Sequence, residues 1–206
     1  QSSPSAPPPP APLGRDPGWS WVHGTVLDLL REGLDASERL IPFSFRDAVF
    51  SILAVLARDA SSPSPEHDGQ VADFVSSGIN STRGRALELV LEYGVWVREM
   101  AGPDAPASFE LMPEVRDLIQ ERLDPLLEPS PSVRAIYGME LGRLAYLDSA
   151  WLAAWRDRLF PSSPEQARLR RAAWSAFIRY DHVNVFLYRL LTTVFEEEVA
   201  HLLAEP

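Results

Sequence analysis

The sequence predicts an all-α fold. The clearest observation is the stretch Ile79 to Met100, INSTRGRALELVLEYGVWVREM, whose polar residues Arg85, Glu88, Glu92 and Glu99 recur at helical intervals. Helix-start signals also recur along the chain, and no segment alternates apolar and polar residues as a half-buried strand would. In the central stretch only Arg98 widens the polar stripe. Ala86, Leu87, Leu89, Val90, Leu91, Tyr93, Val95, Trp96 and Val97 occupy the rest. A stripe that thin predicts a helix covered on at least two sides. Asn80 and Ser81 are placed to cap its first turn, because their side-chain oxygens can accept otherwise unpaired amide hydrogens.

The elements follow in order. Residues 1–18 are rich in Pro, Ser and Ala, favour polyproline II and read as a linker. Trp19 to Gly33 predicts a helix with Trp19, Val22, Val26, Leu29 and Leu30 on one face and Gly33 as its stop. Ser44-Phe-Arg-Asp47 has the spacing of a capping box before the amphipathic run Ala48 to Leu56. Residues 60–69 form a loop by composition, and Val71 to Ser77 predicts a short helix leading into the central one. Pro113 opens a further helix, and Pro125 ends it near Leu123.

Ser130-Pro131 pairs an N-cap with proline at the first helical position. The helix it opens carries Gly138, Gly142 and Ala145, small residues that let a neighbouring helix approach closely. Asp148 or Ser149 caps the next helix, which Pro161 stops. Ser163-Pro164-Glu165-Gln166 again combines proline with capping-box spacing. That helix is expected to send Leu169, Ala173, Ala176 and Phe177 inward and Arg168, Arg170 and Arg171 outward. Asp181 is expected to cap the last helix, with Leu187, Leu191, Val194 and Val199 on its apolar face. The total is about nine helices in one domain over residues 19–206, as antiparallel hairpins stacked in a HEAT- or TPR-like α-solenoid or an irregular bundle.

Composition narrows the function classes. There is no cysteine, so a disulfide framework, a cysteine zinc site and a thiol nucleophile are excluded, and a reducing, cytoplasmic setting fits. All 19 basic residues are arginine, which removes lysine chemistry. A net charge of −10 speaks against nucleic acid as a partner. No run is long and apolar enough to predict a membrane span, and residues 1–14 lack the regions of a signal peptide. With no initiator Met, and with Pro206 following directly on a helical pattern, the chain reads as a segment of a longer polypeptide.

Motifs for chemistry are sparse. No G-x-S-x-G, P-loop or G-x-G-x-x-G pattern occurs. Glu198 and His201 have a spacing used in di-iron bundles, with Glu92 and Glu140 as candidate extra carboxylates. No second E-x-x-H exists, and a solvated acidic face accounts for Glu196 to Glu198. Catalytic, cofactor-binding and metal-binding residues are therefore assigned to none, and no cofactor is expected. The Arg168, Arg170 and Arg171 cluster reads as a solvated helix side able to pair with the acidic last helix, its other use being contact with an anionic partner. Asp47 and Glu88 are candidate partners for Arg83 or Arg85.

Two stretches carry a resemblance. Asn80-Ser-Thr-Arg83-Gly84-Arg-Ala86-Leu-Glu88 resembles the N-[ST]-x-R-G-x-A-x-E element that opens helices in the C-terminal regions of very large bacterial ATP-binding proteins, among them STAND-type NTPases and sirtuin-linked proteins of antiphage defence. Pro131-Ser-Val133-Arg134-Ala-Ile-Tyr137-Gly138, Leu147-Asp148-Ser-Ala-Trp151, Leu159-Phe160-Pro161 and Ala172-Ala-Trp174-Ser-Ala-Phe177 are similar to a succession in the same regions. The resemblance implies a helical scaffold beside an enzymatic module, sensing an invader or regulating that module through a protein partner. It makes Asn80, Arg83 and Gly84 a structural helix-opening motif, with Gly84 allowing close backbone approach and Arg83 binding carbonyls or an acid of a neighbouring helix. The alternatives are a stand-alone helical-repeat adaptor and a metal-dependent helical-bundle enzyme.

Overall fold

A computed structural model describes residues 18–35, 40–59, 73–182 and 184–204. The proline-rich stretch, apart from Gly18, and the loop over residues 60–69 lie outside them, as do Val71 and Ala72 of the expected short helix. Most of the described residues are helical and none lies in a strand. Eleven α-helices follow one another: α1 (Gly18–Leu34), α2 (Arg46–Ala57), α3 (Phe74–Ile79), α4 (Thr82–Ala101), α5 (Pro113–Leu123), α6 (Pro131–Met139), α7 (Leu141–Leu147), α8 (Ser149–Leu159), α9 (Ala167–Tyr180), α10 (Val185–Leu190) and α11 (Thr192–Ala204).

α4 is the centre. Leu87, Leu89, Val90, Leu91, Tyr93, Trp96 and Val97 are buried, while Arg85, Glu88, Glu92 and Val95 are only partly covered and mark the polar stripe. α1, α2, α3, α5, α6 and α7 all pack against it. A helix with neighbours on so many sides belongs to an irregular bundle, since in a solenoid each unit meets only the next. Each fully buried Leu or Val here contributes about 1.5–3 kcal/mol. Phe50, Tyr93, Trp96 and Phe43 form a run of ring contacts at 5.2 to 5.7 Å that ties α2 and its leading turn to α4. Gly102, with φ of 99°, ends α4 in a backbone region that only glycine enters freely.

The second axis is α6 against α9. A Cβ on Gly138 would lie 2.0 Å from the Ala173 carbonyl oxygen, so the two backbones touch there. Gly142 plays a different part from the helix approach expected of it. It faces the Asp181 carboxylate, which accepts its N–H at 2.7 Å.

Several expectations are corrected. Both capping boxes are replaced by 3₁₀ turns, Phe43–Phe45 before α2 and Pro164–Gln166 before α9. In these tighter turns backbone carbonyls take the early amides, Phe45 N–H on Pro42 and Gln166 N–H on Ser163, and no side-chain cap bond is made. Gly33 does not stop α1, which runs to Leu34 with Ile41 folded over the glycine. The helix opened by Pro131 breaks at Glu140, and the last helix breaks at Leu191; with these two breaks the described residues form eleven α-helices where about nine are expected. Asp181 does not cap the last helix. Asn184 does, accepting Leu187 N–H at 2.9 Å.

Candidate functional site

The helix-opening motif sits at the turn between α3 and α4. Asp73 caps α3, accepting the Val75 and Ser76 amides at 3.0 and 3.2 Å and the Ser76 hydroxyl at 2.9 Å. These bonds, with Ser76 foremost, hold its carboxyl below the usual range. Asn80 closes α3 by donating Nδ2 to the Ser76 carbonyl at 2.7 Å, so the cap of α4 falls to Ser81 alone. Ser81 Oγ accepts Gly84 N–H at 3.0 Å and donates to the Gly78 carbonyl at 2.8 Å. A Cβ on Gly84 would stand 2.1 Å from that same Gly78 oxygen. Glycine is therefore required where α4 turns off α3.

Arg83 points into the interior and meets Glu128, in the segment between α5 and α6, with Nη1 at 3.0 and 3.3 Å from its two oxygens. Glu128 is 1 % exposed. It also accepts Arg122 Nη1 at 3.3 Å and the Ser130 amide at 3.2 Å. Arg122 continues the chain of charges to Glu121 at 2.9 Å, and Arg58, the residue after α2, holds Glu121 through Nε and Nη2. That pairing, led by Arg58, lowers the Glu121 carboxyl. Beside them Arg134, 2 % exposed, donates to the carbonyls of Leu123 at 2.7 Å and of Arg158, fastening the C-terminal ends of α5 and α8. Tyr137 Oη donates to the Ile119 carbonyl at 2.7 Å. Five elements thus meet at one buried polar junction.

The partners proposed for Arg83 and Arg85 are corrected. The Asp47 side chain is 98 % exposed and faces its neighbour Arg46, and Glu88 pairs with Arg31 of α1 at 2.9 Å. Arg85 pairs with Asp28. Residues 83 and 88 are five apart, about 140° around the helix, so they face different neighbours. No spacing in the sequence groups Glu128, Arg122 and Arg134. Glu128 stands between Pro125 and Pro129, a spacing that signals a loop and nothing more.

At the other end of α6, Glu140 is buried at the break before α7. Arg143 Nη1 lies 2.5 Å away. Burial outweighs that cation, and Glu88, Asp181 and Glu92 add like charge, so the Glu140 carboxyl is pushed up to about 7. Burial raises Glu92 as well.

Arg170 does not face outward with its neighbours. It is buried, with Nη1 at 2.7 Å from Glu197 and Nε at 2.7 Å from Glu198. Glu198 is thereby engaged by an arginine, and the His201 side chain lies outside the described residues. Among the described residues no group of three or more His, Asp or Glu is placed to hold a metal ion, and no helix is long and apolar enough to cross a membrane.

What this arrangement does chemically is hold helices in register. Glu128, its most enclosed carboxylate, has its oxygens occupied by arginines and an amide, so it is not offered to a substrate. The surface offers more. Trp21 is 63 % and Leu29 68 % exposed along the outer side of α1, and Val185, Tyr188 and Leu203 are exposed on α10 and α11. No family model matches the chain, and no curated protein and no solved structure matches it either.

Proposed function

We propose that this chain is a non-catalytic helical scaffold, the sensor or regulatory protein-interaction region of a large bacterial defence protein of the NTPase type, working in the cytoplasm. The observation that carries the interaction reading is the outer side of α1. Trp21, Val22 and Leu29 are exposed on one stripe of a helix whose opposite side, Leu27, Leu30 and Leu34, is fully engaged with the core. Large apolar side chains left in water along one helix face mark a protein-contact surface. The defence assignment rests on the motif resemblance around Arg83 and Gly84. A buried junction joining five elements supports a regulatory role, since a rigid body transmits a contact made at one end.

The test is phage challenge of cells expressing the full-length gene with Trp21→Asp and Leu29→Asp together. Protection is expected to fall while expression and the thermal midpoint of the purified protein stay unchanged. Unchanged protection overturns the reading. Stoichiometric iron, manganese or zinc in the purified protein would replace it with a metal-dependent enzyme.

A further inference from the structure

α9 turns a second, differently built face to solvent. Arg168, Arg171, Ser175 and Arg179 are exposed and follow one another at steps of three, four and four, so they form one row. The row spans about 16 Å at the helical rise. It continues across a cleft of ≈ 180 Å³ shared with α3, lined by Phe74 and Val75 on one side and Arg171, Ala172 and Ser175 on the other. Arg168 lies over the Phe74 ring with Cζ 5.7 Å from its centroid. Asp73 and Arg179 line the cleft as well, and Glu165 lies by the opposite end of the row. Asp73 meets Arg179 at 3.4 Å, and Glu165 shares a cleft with Arg168. Arg171 and Ser175, in the middle, have no carboxylate partner among the described residues.

We propose that this face docks an acidic amphipathic helix of a protein partner, its carboxylates on the arginine row and an apolar side chain in the cleft beside Phe74. The inference rests on the scaffold reading above and names a second contact surface for it. Charge decides the occupant. The row is cationic on a chain of net charge −10. A long polyanion extends past the row onto a chain of net charge −10, which repels it. A single helix with acids at matching steps meets only the row. The planar guanidinium groups suit paired carboxylates, and the Phe74 wall suits an aromatic or aliphatic anchor.

The experiment is a fluorescence anisotropy titration of the full chain with a designed helical peptide. The peptide carries glutamates at i, i+3, i+7 and i+11 and one tryptophan. A shuffled peptide of the same composition and a single-stranded DNA serve as competitors. The designed peptide is expected to bind in the range of about 1–100 μM and the shuffled one at least about threefold more weakly. Ser175→Glu sets a carboxylate in the middle of the row without removing a contact, and Arg171→Glu reverses its central charge. Each is expected to weaken binding by about tenfold or more with the circular dichroism spectrum unchanged. No binding below about 1 mM, equal binding of the shuffled peptide, tighter binding of the DNA, or variants that bind like the parent overturns the proposal. The titration requires no defence activity, so its failure beside a protection defect from the α1 substitutions overturns the α9 face alone.

Discussion

The two ends of α6 each carry a buried glutamate, and the two are in opposite situations. At the N-terminal end Glu128 has Arg83, Arg122 and a backbone amide on its oxygens. At the C-terminal end Glu140 has one arginine and faces Glu88, Glu92 and Asp181. Burial is severe in both places. The first glutamate is over-supplied with positive charge and locks three segments together. The second is under-supplied and sits where the helix breaks. Burial alone therefore does not decide what a charged group does to a fold; the sign and number of the groups facing it decide.

The largest expected effect comes from removing the matched end. Glu128→Ala leaves Arg83 and Arg122 without their buried carboxylate, and breaking a buried pair in this way costs about 3–5 kcal/mol. The midpoint of urea denaturation should fall accordingly. Arg83→Ala should lose a comparable amount, and should destabilise the domain more than it disturbs binding at α1 or α9. An unchanged thermal midpoint with lost binding would sink the structural role of Arg83.

Between the two ends stands Gly138. Gly138→Ala pushes a methyl group into the Ala173 carbonyl, which is backbone and cannot rotate away. Overpacking of this kind costs about 1–3 kcal/mol. The same substitution at Gly102, where a Cβ meets nothing but φ is positive, strains the backbone without parting two helices. If both variants lower the urea midpoint equally and leave hydrogen exchange in α6 and α9 alike, the close contact is not what holds those helices.

Much of this was legible in the sequence, and the divide follows range. The buried surface of α4 was legible because one period runs through all of its residues, and the partly covered positions fall on the polar stripe. The caps Ser81, Ser130 and Asp148 were legible because a cap acts on amides two or three residues away. The breaks at Glu140 and Leu191 were not, since neither carries a proline or a glycine at the break. Nor was the Arg83–Glu128 pair, whose members are 45 residues apart and meet only once α4 has docked on the segment between α5 and α6. Arg170 shows the same limit. Its neighbours Arg168 and Arg171 point outward, and only the position of α11 turns Arg170 into a buried partner of Glu197 and Glu198.

The unmatched end makes a prediction of opposite sign. With Glu140 at about 7 in the folded chain and an ordinary carboxyl near about 4.3 when unfolded, the folded state binds the proton more tightly. Its contribution to stability is then present in full below about pH 4.3 and is lost as pH rises from there through about 7. Glu92, also raised, acts in the same direction. Asp73 and Glu121, both lowered, act only at more acid pH. Glu140→Gln keeps the shape and removes the charge. It should flatten the fall in urea midpoint between about pH 5.5 and about pH 8.5 and stabilise the protein at the upper end by about 1–3 kcal/mol. A variant that is weaker than the parent at the upper pH would show that the Arg143 pair outweighs burial, and the contrast between the two ends would vanish.

The smallest effect belongs to the outer edge of the matched end. Arg58 holds Glu121 at 2.5 to 3.1 Å, the same chemistry as Arg83 on Glu128, but with nearly half of its side chain in water. Solvent screens such a pair, so Arg58→Ala should cost only about 0.2–1 kcal/mol, and added salt should shrink that cost further. A double-mutant cycle of Arg58→Ala with Glu121→Ala, set beside Arg83→Ala with Glu128→Ala, measures both couplings. If the exposed pair couples as strongly as the buried one, depth does not set the strength of this network. Arg122, which bridges Glu121 to Glu128, would then be passing the buried charge outward to Arg58.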